Sequence, residues 1–205
     1  MANWAWTDYV VEGPEETLQK IYDAFHHHEV EEGSTASWEG NILKALGITW
    51  KDRKIISKKK DGEITFLKTK GYYMRGFIQD APYWDNDGNL RFSAEEAWGA
   101  TDFHELLEMN FPDIKVYYFV EEGIYATNDK EGKYFKNRFY ADCCIDGEYF
   151  SEYFMHESDM FKWLYRITDG RVDTMEKADA FNEEYEDSED SDDNFIFIYK
   201  CSIVD

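Results

Sequence analysis

The sequence predicts an α+β protein: an antiparallel sheet with helices packed on one face, extended by further strands and helices. Three observations carry this. Residues 91–120 read as strand, tight connection, amphipathic helix and second strand. Residues 3–25 read as a strand followed at once by a helix, and Asp146-Gly147 joins two alternating runs in the manner of a hairpin. Strand, helix, inserted region, strand, helix, strand is the order of a ferredoxin-like βαββαβ core. At 205 residues and 24.4 kDa the chain suits a single elaborated domain. Its core is expected over about residues 1–125 with an insertion at 30–80, and residues 126–205 form a C-terminal extension.

In chain order, residues 3–12 form a first strand rich in Trp, Tyr and Val. Gly13-Pro14 opens a helix, with Pro at its first position and Glu15 and Glu16 at the positive end of its dipole. Leu18, Ile21, Tyr22 and Phe25 share one face at i, i+3, i+4 and i+7. Ser34 or Ser37 caps a short helix with Trp38, Ile42, Ala45 and Leu46 on one side, closed by Gly47. Asp61-Gly62 is a hairpin turn into a strand at 64–70, and Gly71 separates that strand from residues 72–79. Residues 82–89 make a turn before the strand at 90–98.

Thr101 is the expected N-cap of the next helix, Phe103, Leu106 and Leu107 form its apolar face, and Pro112 stops it. Trp98, between strand and cap, is expected to be buried over Phe103 and Leu107. Ile114, Val116, Tyr118 and Val120 alternate as a strand. Phe139, Ala141, Cys143 and Ile145 alternate with Tyr140, Asp142, Cys144 and Asp146, and the chain returns through residues 148–154. Ser158 is read as the cap of a helix ended by Gly170, and Asp173 with Glu176 has capping-box spacing for another. An apolar strand closes the chain at 195–204.

The sequence holds 44 acidic and 22 basic residues, a formal charge of −22. That balance opposes direct binding to a phosphate backbone or an anionic membrane and favours basic partners. The distribution is uneven. Residues 51–75 contain nine Lys/Arg against three Asp/Glu, whereas residues 183–193 contain eight acidic side chains and no basic one. Like charges at that density predict a mobile loop. No apolar run approaches the ~20 residues of a membrane span, and no secretory h-region follows Met1. Three cysteines, two of them adjacent, suit reduced thiols in a cytoplasmic protein. With 15 Tyr, 15 Phe and 7 Trp, the aromatic content exceeds what a core alone needs, and Tyr and Trp tolerate half-burial on contact surfaces.

Met1-Ala-Asn-Trp4, Val10-Val11-Glu12-Gly13, Ala97-Trp98 and Phe111-Pro112-Asp113-Ile114 leading into residues 117–123 resemble the YubB ferredoxin-like family of bacterial plasmids, phages and chromosomal islands. The resemblance covers residues 1–28 and 90–125. Gly99-Ala100 stands where that family has a Pro-rich turn. The resemblance implies a fold and a mobile-element setting, and no catalytic residues.

No residue pattern points to a catalytic site, a cofactor or a metal. His26-His27-His28 sit about 100° apart on a helix and cannot converge on one ion. Cys143 and Cys144 face opposite sides of a strand and lack a second pair. Aligning Gly88 as the sixth position of a calcium loop puts Tyr83 first and Ala94 twelfth, where carboxylates are needed, so residues 85–89 are a turn. His104 and His156 fit surface positions. The basic segment at 51–60, with Lys68, Lys70 and Arg75 nearby, is a charged hairpin face.

These readings lead to a non-enzymatic accessory or protein-interaction factor of a mobile element. Its expected surface is Tyr72, Tyr73 and Trp84 together with Glu183, Glu184, Asp187, Glu189 and Asp190. An acidic DNA mimic and an enzyme assembled from dispersed residues are the alternatives. A protein partner is expected, with no membrane and no direct nucleic-acid contact. A flat aromatic patch would favour the module, a convex acidic ridge the mimic, and a deep polar pocket the enzyme.

Overall fold

The computed structural model describes residues 3–30, 35–52, 55–60, 63–68, 71–121, 125–186 and 192–204, with 55–60 and 63–68 described by backbone alone. The chain is α+β and divides into two compact units, Met1–Ile124 and Tyr125–Asp205.

In unit 1 the order is β1 (Trp4–Glu12), α1 (Glu15–His26), α2 (Glu39–Ala45), β2 (Ile55–Lys60), β3 (Glu63–Lys68), β4 (Gly76–Ile78), β5 (Tyr83–Trp84), β6 (Leu90–Ala97), α3 (Phe103–Asn110) and β7 (Lys115–Glu121). The sheet runs β7-β1-β6-β4, with β5 also paired to β6. Neighbours are antiparallel, Tyr9 lying opposite Phe92 on one side and Tyr118 on the other. β2 and β3 form a separate two-stranded pair. The strand expected at 72–79 is shorter, Gly76–Ile78, flanked by single backbone bonds from Ala97 N–H to Arg75 C=O and from Gln79 N–H to Ser93 C=O of β6.

Period-2 alternation places Tyr9, Phe92, Val116 and Leu90 in the core, where Leu18 and Ile21 of α1 and Phe103, Leu106 and Leu107 of α3 are also buried. Tyr9 stacks on Phe92 with centroids 4.8 Å apart, and Phe103 meets Phe92 edge-on at 5.9 Å. Such ring pairs add about 0.5–1.5 kcal/mol each beyond the area they bury.

At the start of α3 the expected hydroxyl does meet the first turn, Thr101 Oγ1 accepting from Phe103 N–H at 3.3 Å, while the residue next to the helix is Asp102, whose carboxylate accepts from Tyr73 N–H at 2.6 Å. Trp98 is 60% exposed rather than buried. Trp98 (φ 71°) and Gly99 (φ 102°) both take left-handed backbone, which turns the chain out of the strand and swings the indole to solvent. The cap of α2 is Trp38, with no side-chain bond; Ser34 lies outside the described residues. The Asp61-Gly62 turn also lies outside them.

Unit 2 contains β8 (Ala126–Thr127), β9 (Phe139–Ile145), β10 (Glu148–Phe154), α4 (Glu157–Ile167), α5 (Met175–Tyr185), β11 (Phe195–Lys200) and β12 (Ser202–Ile203). β9 is the centre of a three-stranded antiparallel sheet, β10-β9-β11. Asp146 (φ 51°) and Gly147 (φ 80°) take the two left-handed positions that a tight hairpin demands. Asp193 C=O accepts from Gly147 N–H at 3.0 Å and Asn194 Oδ1 from Asp146 N–H at 3.0 Å, so the residues before β11 brace that turn.

Helix α4 starts one residue before Ser158, with His156 at the cap position. Thr174, rather than Asp173, caps α5 by accepting from Lys177 N–H at 3.3 Å. α5 runs through Tyr185, so Glu183 and Glu184 are helical and only part of the stretch read as a loop lies beyond it; residues 187–191 lie outside the described residues. The closing strand is interrupted at Cys201, giving β11 and a short β12 that pairs in parallel with β8.

The core of unit 2 joins Ala141, Cys143, Ile145 and Ile196 of the sheet to Met160 and Leu164 of α4 and Ala178 and Phe181 of α5. Both helices therefore cover the same sheet face. No helix among the described residues is long and apolar enough to cross a membrane.

Candidate functional site

Two arrangements stand out from ordinary packing, one in each unit. In unit 1 two carboxyls lie in the core. Glu96 on β6 and Glu39 at the start of α2 are both fully buried. Tyr9 OH donates to both Glu96 oxygens at 2.8 and 2.9 Å, and Thr101 N–H donates to Glu96 Oε1 at 2.8 Å. Thr101 Oγ1 donates to Glu39 Oε2 at 2.9 Å. Gly76 sits where a Cβ would collide with the Glu39 carboxyl, which gives the reason for glycine there.

Burial is the largest force holding the Glu39 carboxyl well above its usual range; the nearby Glu96 charge and a hydrogen bond to Glu96 add to it, and the Thr101 bond opposes them. Burial, then the Glu96 charge, likewise raises the phenols of Tyr9 and Tyr118. Two neighbouring carboxyls, one of them with its pKa raised, are groups suited to acid–base work. Here both are sealed from solvent, so what the pair does is tie α2 and the α3 entry to the sheet.

In unit 2 the geometry is open. Alternation sends Ala141, Cys143 and Ile145 towards the helices and Tyr140, Asp142 and Cys144 to the other side of β9. Register fills that outer face in three rows: Tyr149, Cys144 and Phe195; Ser151, Asp142 and Phe197; Tyr153, Tyr140 and Tyr199. Six of nine positions are aromatic. Tyr140 packs against Tyr153 at 4.6 Å, Tyr125 covers Tyr140 at 5.3 Å, and Phe195 stacks on Phe197 at 5.0 Å. Tyr149 is 71% exposed, Phe197 49% and Tyr199 40%. Both cysteines of β9 are buried, including Cys144 on this outer face, and burial above all pushes the Cys143 thiol up to about 12. Burial raises the Cys144 thiol as well, so the thiolate form is disfavoured at both.

The open face continues into a groove of about 560 Å³ where β11 meets α5. Phe195 and Phe197 form one wall and Tyr185 lies at its end; Asp179, Glu183 and Glu186 form the other. The three acids are exposed and recur at helical spacing. Between the walls, Asn182 pairs its side-chain amide with both backbone groups of Ile196, at 2.7 Å each. That contact holds α5 against β11 and satisfies the strand edge locally.

The surface expected from sequence is divided between the two units. Tyr72 is half-buried and donates from its hydroxyl to Met109 Sδ at 3.2 Å; Tyr73 is half-buried with its hydroxyl sealed from solvent; Trp84 packs against Tyr22 with tilted rings 5.8 Å apart. Glu183 and Glu184 are exposed on α5, and Glu183 lines the groove. Asp187, Glu189 and Asp190 lie outside the described residues. Sequence reasoning passed over Tyr140, Tyr149, Tyr153, Phe197 and Tyr199, although aromatics at alternate positions of three successive strands were the signal. Among the described residues no His/Cys/Asp/Glu group could hold a metal ion. The segment at 85–89 is a turn, Asp85 accepting from the Asp87 and Asn89 backbones and from Arg91 Nε at 2.8 Å. Partial burial pushes the Asp85 carboxyl up, but those donors outweigh it and hold the group at about 2.

Comparison with known protein families, curated proteins and solved structures gave no match.

Proposed function

We propose that the chain is a non-enzymatic protein-interaction factor whose docking surface is the outer face of the β10-β9-β11 sheet. One observation carries this reading: six rings on one sheet face, three of them 40–71% exposed, while both helices of the unit cover the opposite face. Contiguous exposed aromatic surface is costly in water and marks contact sites on soluble domains. Tyr and Phe supply contact area with few rotatable bonds, which limits the entropy lost on docking. The enzyme reading has less support, because the carboxyl pair with acid–base potential is closed to solvent.

The setting in a mobile element rests on the resemblance to YubB proteins alone. The reading of unit 1 as ferredoxin-like has firmer support: the strand order β7-β1-β6-β4, wholly antiparallel, with one helix after β1 and another after β6.

The test is capture of a partner from the native host by the intact chain and by a Phe197→Ser/Tyr199→Ser variant, with circular dichroism as the folding control. The reading predicts a protein retained by the wild type, lost with the double variant and kept by Trp84→Ala. If a nuclease or DNA-binding protein is retained equally by the double variant, acidic mimicry replaces this reading.

A further inference from the structure

The groove between α5 and β11 adds charge to the aromatic face, and its chemistry is selective. Asp179, Glu183 and Glu186 stand opposite Phe195 and Phe197, and Asp142 lies in the row beside Phe197. Among the described residues no hydrogen bond or ion pair engages the Asp142 carboxylate, and no Lys or Arg lines the groove. Unit 2 as a whole carries 21 Asp/Glu against nine Lys/Arg. The result is a ring-walled trough with carboxylates along one side and a further carboxylate on the adjoining sheet face.

We propose that this groove binds a basic, extended polypeptide segment of the partner, seating Lys or Arg side chains between the α5 carboxylates and the Phe195–Phe197 rings. The inference rests on the docking-face reading and names the class of its partner. Ring faces carry negative quadrupole and attract cations, and the attraction grows where carboxylates and partial desolvation accompany it. An apolar partner would bury the rings and leave Asp179, Glu183, Glu186 and Asp142 facing nonpolar surface, which costs desolvation without compensation. An acidic partner or a nucleic acid would be repelled. A basic segment satisfies both walls. The Asn182 bridge keeps the trough open by fixing the α5–β11 spacing at Ile196, so the site is formed before the partner arrives and little ordering is lost on binding.

The experiment uses the full chain and three dye-labelled peptides, Ser-Lys-Val-Lys-Val-Lys-Ser and its counterparts with norleucine or Glu in place of every Lys, titrated by fluorescence anisotropy. The Lys peptide should bind at least about tenfold tighter than the norleucine peptide, and the Glu peptide should not bind. In an Asp179→Asn/Glu183→Gln/Glu186→Gln variant that preference should fall to about twofold or less, with the fold unchanged because all three side chains are exposed. A control variant, Glu15→Gln/Asp23→Asn/Glu29→Gln, removes the same number of exposed acids from unit 1 and should keep the preference. Equal loss in both variants would mean attraction to net charge alone and would overturn the groove. Equal affinity of the Lys and norleucine peptides, lost in both cases on Phe197→Ser, would overturn the basic partner and leave the docking face standing. Binding of no peptide, with host-partner capture unaffected by Phe197→Ser/Tyr199→Ser, would overturn both.

Discussion

At Glu96 the chain turns a carboxyl into its own core, and the neighbourhood is built to receive it: a phenol, a backbone amide and a second carboxyl whose pKa is raised. The consequence is a stability that depends on pH in a predictable direction. Glu39 has a folded-state pKa raised above its unfolded value of about 4.3. The folded chain therefore binds the extra proton, and stability falls as pH rises above about 4.3 towards the folded pKa. Glu39→Gln keeps an acceptor for Thr101 but cannot ionise. Thermal melts at pH 5.5 and 8.5 should show the wild type losing more stability than the variant across that interval. Parallel losses would mean that the Glu39 pKa is not raised.

Among the elements, α4 and α5 decide which face of the β10-β9-β11 sheet is core. Leu164 is fully buried against that sheet, whereas Arg166 is exposed on the same helix. Leu164→Ala should cost about 2–5 kcal/mol, the range for a large-to-small change in a packed core. Arg166→Ser should stay within about 0.5 kcal/mol. Urea denaturation measures both, and a Leu164→Ala cost under about 1 kcal/mol would mean that α4 is loosely docked. The elements were also the most legible part of the sequence. Alternation at 139–145, the Asp146-Gly147 turn and the helix at 103–110 are all local signals, written within a few residues. Caps were less legible. Ser158 and Asp173 each have a neighbour that takes the cap position, and Asp102, between Thr101 and α3, bonds to Tyr73 instead of its own helix, since side chains that can cap also bond elsewhere.

For the molecule as a whole, legibility ended where distant segments meet. Nothing local to Glu39 or Glu96 announces their pairing across 57 positions of chain. The exposure of Trp98 follows from two left-handed residues in succession, and only the Gly of that pair is a residue type that signals such a conformation. The aromatic face was half-written: alternation separates the two sides of β9, but which side the helices cover is settled by packing. The most direct measurement of the central claim, that this face is where a partner docks, is photocrosslinking in the native host. Tyr149 is 71% exposed at one corner of the face, and Tyr83, 55% exposed, provides a comparable position in unit 1. Replacing each in turn with p-benzoylphenylalanine should give a discrete covalent adduct to one protein from position 149 and none from position 83. An adduct formed equally from both, from position 83 alone, or from neither would contradict the account.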